Sequence, residues 1–148
     1  MHIKKMYKEM FMIIDTCQAM SLFEGVEAPN LFLMGTSVNG QSAYSYQYDA
    51  ELNQDLNDRF SFFFLYQFLR NIYREKFTAS TKMSDLFSLF PFLTLESNLA
   101  VKNNHNSRLI SDVYLKEYIP LPKSNLIAKQ IKEYDLDEVP SYSDFLAN

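Results

Sequence analysis

Two short, unbroken apolar runs are the clearest hydrophobic pattern in the first part of the chain. The first covers residues 10–14 and is closed by Asp15, and the second covers residues 31–34 and precedes a Gly-Thr-Ser segment. Continuous runs of this length are typical of strands covered on both faces, as in a parallel sheet. Because residues 18–28 have room for one short helix, the pattern predicts a β–α–β unit. Residues 3–9 predict the end of an amphipathic helix.

A long polar segment follows the second run. Residues 35–57 contain few aliphatic side chains, and a loop of that length in a compact domain is usually functional or disordered. Asp58 then provides a good N-cap for a helix over residues 60–76. The aromatic side chains of this helix are too widely spread for one narrow stripe, so we expect it to be mostly buried.

The last third of the chain gives weaker signals. Ser80 or Thr81 can cap a further short helix, which a proline then stops. Two segments are weak strand candidates, residues 93–101 and 108–115. Prolines and scattered charges predict a loosely attached tail over residues 120–148. We therefore expect one α/β domain over residues 1–119, followed by this tail.

Composition narrows the possible chemistry. The 148 residues carry a net charge of −4, which argues against a nucleic-acid surface. A single Cys excludes an internal disulfide and every multi-Cys zinc site, and three Gly leave little for a phosphate-cradling loop. We expect neither a metal nor an organic cofactor. No apolar run is long enough to span a bilayer or to form a signal-peptide core, so the chain is expected to be soluble.

The lone cysteine lies where the first predicted strand ends, in the segment Asp15-Thr16-Cys17. Ligand sites of open α/β sheets lie just beyond the carboxyl ends of strands. If a helix starts after Cys17, its free N–H groups and its dipole favour the thiolate, which is the nucleophilic form of the side chain. The Gly-Thr-Ser end of the second strand should lie beside it. In the alternative interpretation, Cys17 is a small buried apolar residue at a strand end.

A thiol nucleophile needs a general base within hydrogen-bonding reach. His2 and His105 are the only histidines of the sequence. His2 lies at the terminus and His105 in a polar turn far along the chain, so both are expected to be solvent-exposed spectators. The sequence therefore predicts a nucleophile without its base.

Several segments together resemble the catalytic subunits of GPI-anchor transamidases, which are legumain-like cysteine peptidases related in fold to caspases. The resemblance covers roughly residues 7–115. The segments that carry it are residues 11–18 (Phe-Met-Ile-Ile-Asp-Thr-Cys-Gln), 28–31 (Ala-Pro-Asn-Leu), 35–37 (Gly-Thr-Ser), 42–49 (Ser-Ala-Tyr-Ser-Tyr-Gln-Tyr-Asp), 58–62 (Asp-Arg-Phe-Ser-Phe) and 83–87 (Met-Ser-Asp-Leu-Phe).

The resemblance implies a three-layer α/β/α sheet, of which this chain carries the C-terminal part. It implies that Cys17 is the nucleophile and that its backbone N–H contributes to the oxyanion hole. Asp15, Ser45 and Asp58 fall where the family places substrate-binding residues. The implied activity is cleavage of a C-terminal signal peptide through a Cys thioester, with transfer of the protein to the ethanolamine amine of a glycosylphosphatidylinositol lipid. Other transamidase subunits would be partners, in a complex of the endoplasmic reticulum membrane.

The sequence also departs from this family. Its catalytic histidine belongs to a His-Gly-Gly motif, and no His-Gly pair occurs here. We therefore expect the chain to be the C-terminal portion of a transamidase subunit, from a truncated gene model or a split gene. A sheet interrupted at its middle exposes a strand edge, so residues 1–148 expressed alone, without the rest of the sheet, are expected to be poorly soluble or molten. The alternative is a non-catalytic α/β homologue that acts as a subunit-binding module.

Overall fold

The computed structural model describes residues 1–74 and 76–121. The predicted tail over residues 120–148 lies almost entirely outside them. Five strands and three α-helices follow one another: β1 (Met10–Ile14), β2 (Leu31–Gly35), β3 (Ser45–Asp49), β4 (Gln54–Asp58), α1 (Arg59–Tyr73), α2 (Met83–Phe87), α3 (Phe92–Leu95) and β5 (Ala100–Asn103). Three short 3-10 helices complete the described part: Ala19–Phe23, Ile110–Asp112 and Leu115–Glu117.

The two apolar runs form neighbouring parallel strands, as predicted. In the sheet β1–β2–β5, Met10 is paired with Leu31 and Ile14 with Gly35. The 3-10 helix Ala19–Phe23 lies in the connection between them, where a short helix was expected. It passes so close to the end of β2 that a Cβ at position 35 would come within 3.0 Å of the backbone nitrogen of Met20. Glycine permits this approach.

Apolar side chains cover the sheet on both faces. On one face, Phe32 and Met34 pack in a buried cluster with Phe60 of α1 and Leu86 of α2. On the other face, Leu33 packs with residues that include Phe23 of the 3-10 helix. Helical residues thus lie on both sides of the sheet, and the predicted α/β fold class is confirmed.

The prediction of one long loop over residues 35–57 is wrong for its second half. There β3 and β4 pair as an antiparallel hairpin. The Asp49 carboxylate closes the turn by accepting the N–H groups of Glu51 and Leu52, at 2.8 and 2.9 Å. Asn53 adopts the left-handed conformation, with φ of 54°. Because every residue of β4 is exposed, the strand left no buried alternation in the sequence.

Asp58 does precede helix α1, but its side chain makes no capping hydrogen bond. The expected capping of α2 by Ser80 or Thr81 is also wrong, because the Asp85 carboxylate accepts the Lys82 N–H at 2.8 Å.

Two further segments differ from their predictions. Residues 3–9 form turns rather than a helix end, and Lys5 has φ of 48°. Of the two strand candidates, 93–101 contains only the start of β5, and 108–115 forms 3-10 turns with one isolated bridge from Tyr114 to Lys82. No helix among the described residues combines the length and apolar character needed to cross a membrane.

Candidate functional site

The carboxyl ends of β1 and β2 bring polar side chains together, as their parallel pairing predicts. The Thr36 N–H donates to the carbonyl oxygen of Ile14 at 3.1 Å, which extends the strand pairing by one step. The Thr36 hydroxyl then donates to Oδ1 of Asp15 at 2.6 Å. Asp15, a predicted substrate-binding residue, is therefore fixed directly to the end of the neighbouring strand.

Helix α1 contacts the same carboxylate. The Ser61 hydroxyl in its first turn donates to Oδ2 of Asp15 at 3.3 Å. Both carboxylate oxygens thus accept a hydroxyl, one from the sheet and one from the helix. Sequence reasoning did not find Ser61, because a serine in the first turn of a helix has no distinguishing spacing relative to Asp15.

The Cys17 side chain is exposed and lies against the backbone of Ala43. The Ala43 N–H donates to Sγ at 3.4 Å, and the thiol is 3.6 Å from the Ala43 carbonyl oxygen, an acceptor for its proton. Exposure contradicts the alternative in which Cys17 is a buried apolar residue. Ala43 was not found from the sequence, since a backbone contact leaves no residue-type signal.

The expected free N–H groups after Cys17 are occupied. The Gln18 N–H donates to the Gln41 carbonyl at 2.8 Å, and the Ala19 and Met20 N–H groups donate to the hydroxyl and carbonyl of Ser37 at 3.0 and 3.1 Å. The helix that follows is a five-residue 3-10 helix. The thiol therefore takes its N–H donor from Ala43 rather than from a helix terminus.

Ser45 and Asp58 face each other across the hairpin, as the terminal Cα pair of β3 and β4. Both residues are exposed. The Arg59 N–H donates to the Tyr44 carbonyl at 2.8 Å, so the open end of the hairpin is fastened where α1 begins. In the described part of the chain, neither side chain hydrogen-bonds to Asp15. Asp58 nonetheless stands three residues before Ser61, which does.

Both histidines lie at the opposite end of the sheet from Cys17. His105 follows the segment that pairs with the start of β2, and His2 lines a groove with Met10, the first residue of β1. A five-residue strand is about 16 Å long, so neither ring can serve the thiol in this arrangement. The expected exposure of His105 is wrong, because its ring stacks on Phe32 at 4.7 Å and both ring nitrogens are buried.

Among residues 1–74 and 76–121, no group of three or more His, Cys, Asp or Glu side chains could hold a metal ion. The polar groups around Cys17 are hydroxyls, one carboxylate, backbone amides and the side-chain amides of Gln18 and Gln41. Such a set can hold a polar substrate and a thiol, and it lacks a strong proton acceptor beside the sulfur.

A family profile now identifies the class of this protein. The profile of the peptidase C13 family matches residues 1–116, so the chain belongs to the peptidase C13 family. Its relatives include the protein named GPI-anchor transamidase of Saccharomyces cerevisiae, with 30% identity over 146 residues. That alignment covers 99% of this chain and 34% of the yeast protein.

Two further relatives carry the same name. The Schizosaccharomyces pombe protein is 31% identical over 117 residues, covering 79% of this chain and 30% of that protein. The Homo sapiens protein is 36% identical over 88 residues, covering 60% of this chain and 21% of that protein. The chain thus spans about a third or less of the length of these relatives, and the family resemblance found in its sequence is confirmed.

Proposed function

We propose that this chain supplies the thiol nucleophile of a GPI-anchor transamidase. One observation carries the proposal: the exposed Cys17 thiol lies just beyond the carboxyl ends of two parallel strands, with the Ala43 N–H directed at its sulfur. A hydrogen-bond donor at sulfur favours the anionic form that attacks carbonyl carbon. The names of the relatives specify the reaction.

The proposed reaction has two transfers. The Cys17 thiol gives its proton to a general base while Sγ bonds to the carbonyl carbon of the scissile peptide. The C–N bond breaks, and the leaving amine takes that proton, which leaves a thioester. The ethanolamine amine of the lipid then attacks the same carbon and loses a proton to the base, the C–S bond breaks, and the proton returns to sulfur. The transferred protein ends in an amide bond to the lipid.

The general base of this scheme comes from outside the described residues. His2 and His105 are separated from the thiol by the length of β1 and β2. We therefore place this chain in a composite site, in which another polypeptide segment brings the base to Cys17. The complex with other transamidase subunits in the endoplasmic reticulum membrane belongs to the same proposal.

The backbone around Cys17 supports an oxyanion site. Within the described residues, the Cys17 N–H has no hydrogen-bond acceptor, whereas the next three N–H groups do. An N–H left open beside the nucleophile is placed to stabilise the negative oxygen of a tetrahedral intermediate. We assign substrate binding to Asp15, which follows β1, and to Ser45 and Asp58, the terminal pair of the hairpin.

The assay should detect the thioester by its capture. The tagged chain is isolated with its bound partners from the cells that make it, and is incubated with hydroxylamine and peptides ending in candidate C-terminal signals. We expect a peptide hydroxamate with the native chain and a loss of about a thousandfold or more with Cys17→Ala. Ser21→Ala is the matched control, because the exposed Ser21 hydroxyl bonds only the Gln18 carbonyl in this segment. Unchanged hydroxamate formation by Cys17→Ala would refute the proposal.

A second candidate function is a non-catalytic module that binds transamidase subunits. The distance of both histidines from the thiol favours it. In this case the isolated assembly contains the other subunits but forms no hydroxamate, and Cys17→Ala leaves the assembly intact.

A further inference from the structure

Ser37 holds both flanks of Cys17 with one hydroxyl. This residue lies two positions after the end of β2 and is fully buried. Its hydroxyl donates to the Thr16 carbonyl at 2.7 Å and accepts the Ala19 N–H at 3.0 Å. The two partners lie one residue before and two residues after the cysteine. The buried hydroxyl thus gives its single proton and one of its two lone pairs to this segment.

The backbone of Ser37 extends the same attachment. Its carbonyl accepts the Met20 N–H at 3.1 Å, so one residue of the sheet end fixes three residues of the segment 16–20. Cys17 itself remains exposed. The position of its sulfur against the Ala43 N–H, 3.4 Å away, therefore depends on neighbours that Ser37 holds.

We infer that Ser37 is a positioning residue for the Cys17 thiol, holding the sulfur where the Ala43 N–H stabilises its anion. The inference rests on the proposed function for the importance of that anion. Ser37 acts through Thr16 and Ala19, and its hydroxyl makes no hydrogen bond to the sulfur within the described residues. Without its hydroxyl, the buried Ala19 N–H loses its acceptor, and the segment must shift to satisfy it.

The molecule contains a matched control for this effect. The Ser97 hydroxyl is also buried, at 3% exposed, and donates to the Thr36 carbonyl at 2.7 Å. It stabilises the same end of the sheet, but its bond goes to Thr36 and not to the cysteine segment. Ser97→Ala therefore reports the loss of a buried hydroxyl without loss of the hold on Cys17.

The test measures the rate of Cys17 alkylation by iodoacetamide as a function of pH, on the full chain with its bound partners. We expect Ser37→Ala to change the profile and to slow alkylation at neutral pH about tenfold, the effect of one hydrogen bond to a charged group. Ser37→Thr keeps the hydroxyl. Ser97→Ala keeps the hydrogen bonds of Ser37 to Thr16 and Ala19. Both variants should therefore retain the native profile. A native profile in folded Ser37→Ala overturns the inference.

Ala43→Pro gives a second route if Ser37→Ala does not fold. It removes the N–H donor to sulfur and places the ring carbon Cδ beside the sulfur instead, while the Ser37 hydroxyl stays in place, so a changed profile is expected. An unchanged profile in this variant overturns the inference as well. The alkylation measurement is independent of transamidation. Hydroxamate formation that survives Cys17→Ala would refute the proposed function. The positioning role of Ser37 is judged from the alkylation profile alone.

Discussion

Asp15 joins three parts of the molecule through one carboxylate. It follows β1, accepts the Thr36 hydroxyl from the end of β2, and accepts the Ser61 hydroxyl from α1. An ionised carboxylate has about four acceptor positions, and these two bonds occupy half of them. The proposed substrate-binding role is compatible with this arrangement, because the remaining positions can accept donors from a polar side chain of the substrate.

Among residues 1–74 and 76–121, the protonation of Tyr118 is strongly tied to the fold. Burial, followed by the nearby Glu9 carboxylate, raises its pKa from 10.0 to about 12, and its hydroxyl donates to Glu9 at 3.1 Å. A raised pKa means that folding favours the neutral phenol. Its contribution to stability is therefore complete below pH 10 and is lost as the pH rises from 10 to about 12.

This linkage predicts how Tyr118→Phe behaves. The native chain should be more stable than the variant below pH 10, and the difference should shrink between pH 10 and about 12. The measurement is the urea midpoint of both proteins across this range. Tyr44→Phe removes the hydroxyl of an exposed tyrosine outside this cluster and serves as control. A constant difference for Tyr118→Phe would contradict the assigned coupling.

Helix α1 is attached to the core by aromatic contacts at four-residue spacing. Phe60 lies 5.4 Å from Phe64, the next ring along this face, and 5.5 Å from Phe90 beyond α2. Phe60 is 7% exposed. Phe60 directly precedes Ser61, so the packing of this ring positions the first turn of α1. The aromatic contacts therefore also help to hold the Ser61 hydroxyl near Asp15.

Phe60→Ala should lower the free energy of unfolding by about 3–5 kcal/mol, through lost transfer energy and a residual cavity. Leu65→Ala, on the same helix but 58% exposed, should cost less than about 1 kcal/mol. Urea unfolding monitored by circular dichroism compares the two. Equal losses for both variants would show that this face of α1 does not form the core contact.

The strands that could be predicted are those whose sequence pattern reflects burial on both faces. The bounds of β1 match the prediction, and β2 extends it by Gly35, because a continuous apolar run has few other stable placements. The hairpin of β3 and β4 could not be found, since Tyr48 and Leu56 are exposed and no face is apolar throughout. Its conformation depends on the turn at Asn53 instead.

The candidate site also contains residues that could be placed from the sequence and contacts that could not. Cys17 and Asp15 could be placed from the sequence, because the carboxyl end of a buried strand fixes where the following residues lie. The contacts of Ser37, Ala43 and Ser61 could not, since they depend on loop geometry and on a helix more than forty residues away. The family resemblance was needed to assign Ser45 and Asp58 to substrate binding, since the pattern around Asp58 indicated only a helix N-cap.

At the scale of the whole molecule, the sheet has an open side. In the described part of the chain, β1 pairs with β2 on one side and has no strand on the other. A groove beside this edge is lined by apolar residues that include Ile3, Met10 and Met12. An unpaired strand bordered by apolar side chains is a template for pairing with another chain, which accounts physically for the poor solubility expected from the sequence.

We therefore predict that the isolated chain self-associates through the β1 edge. Ile3, 94% exposed at the groove, can be changed to Lys without disturbing the core, and a charge beside the edge should raise the concentration at which dimers form about tenfold. Leu93→Lys is the matched control, because Leu93 is 71% exposed on α3 and does not line the groove. Sedimentation equilibrium of the native chain and both variants gives the comparison. If Leu93→Lys weakens association as much as Ile3→Lys, general surface hydrophobicity rather than the open strand drives it, and the edge assignment fails.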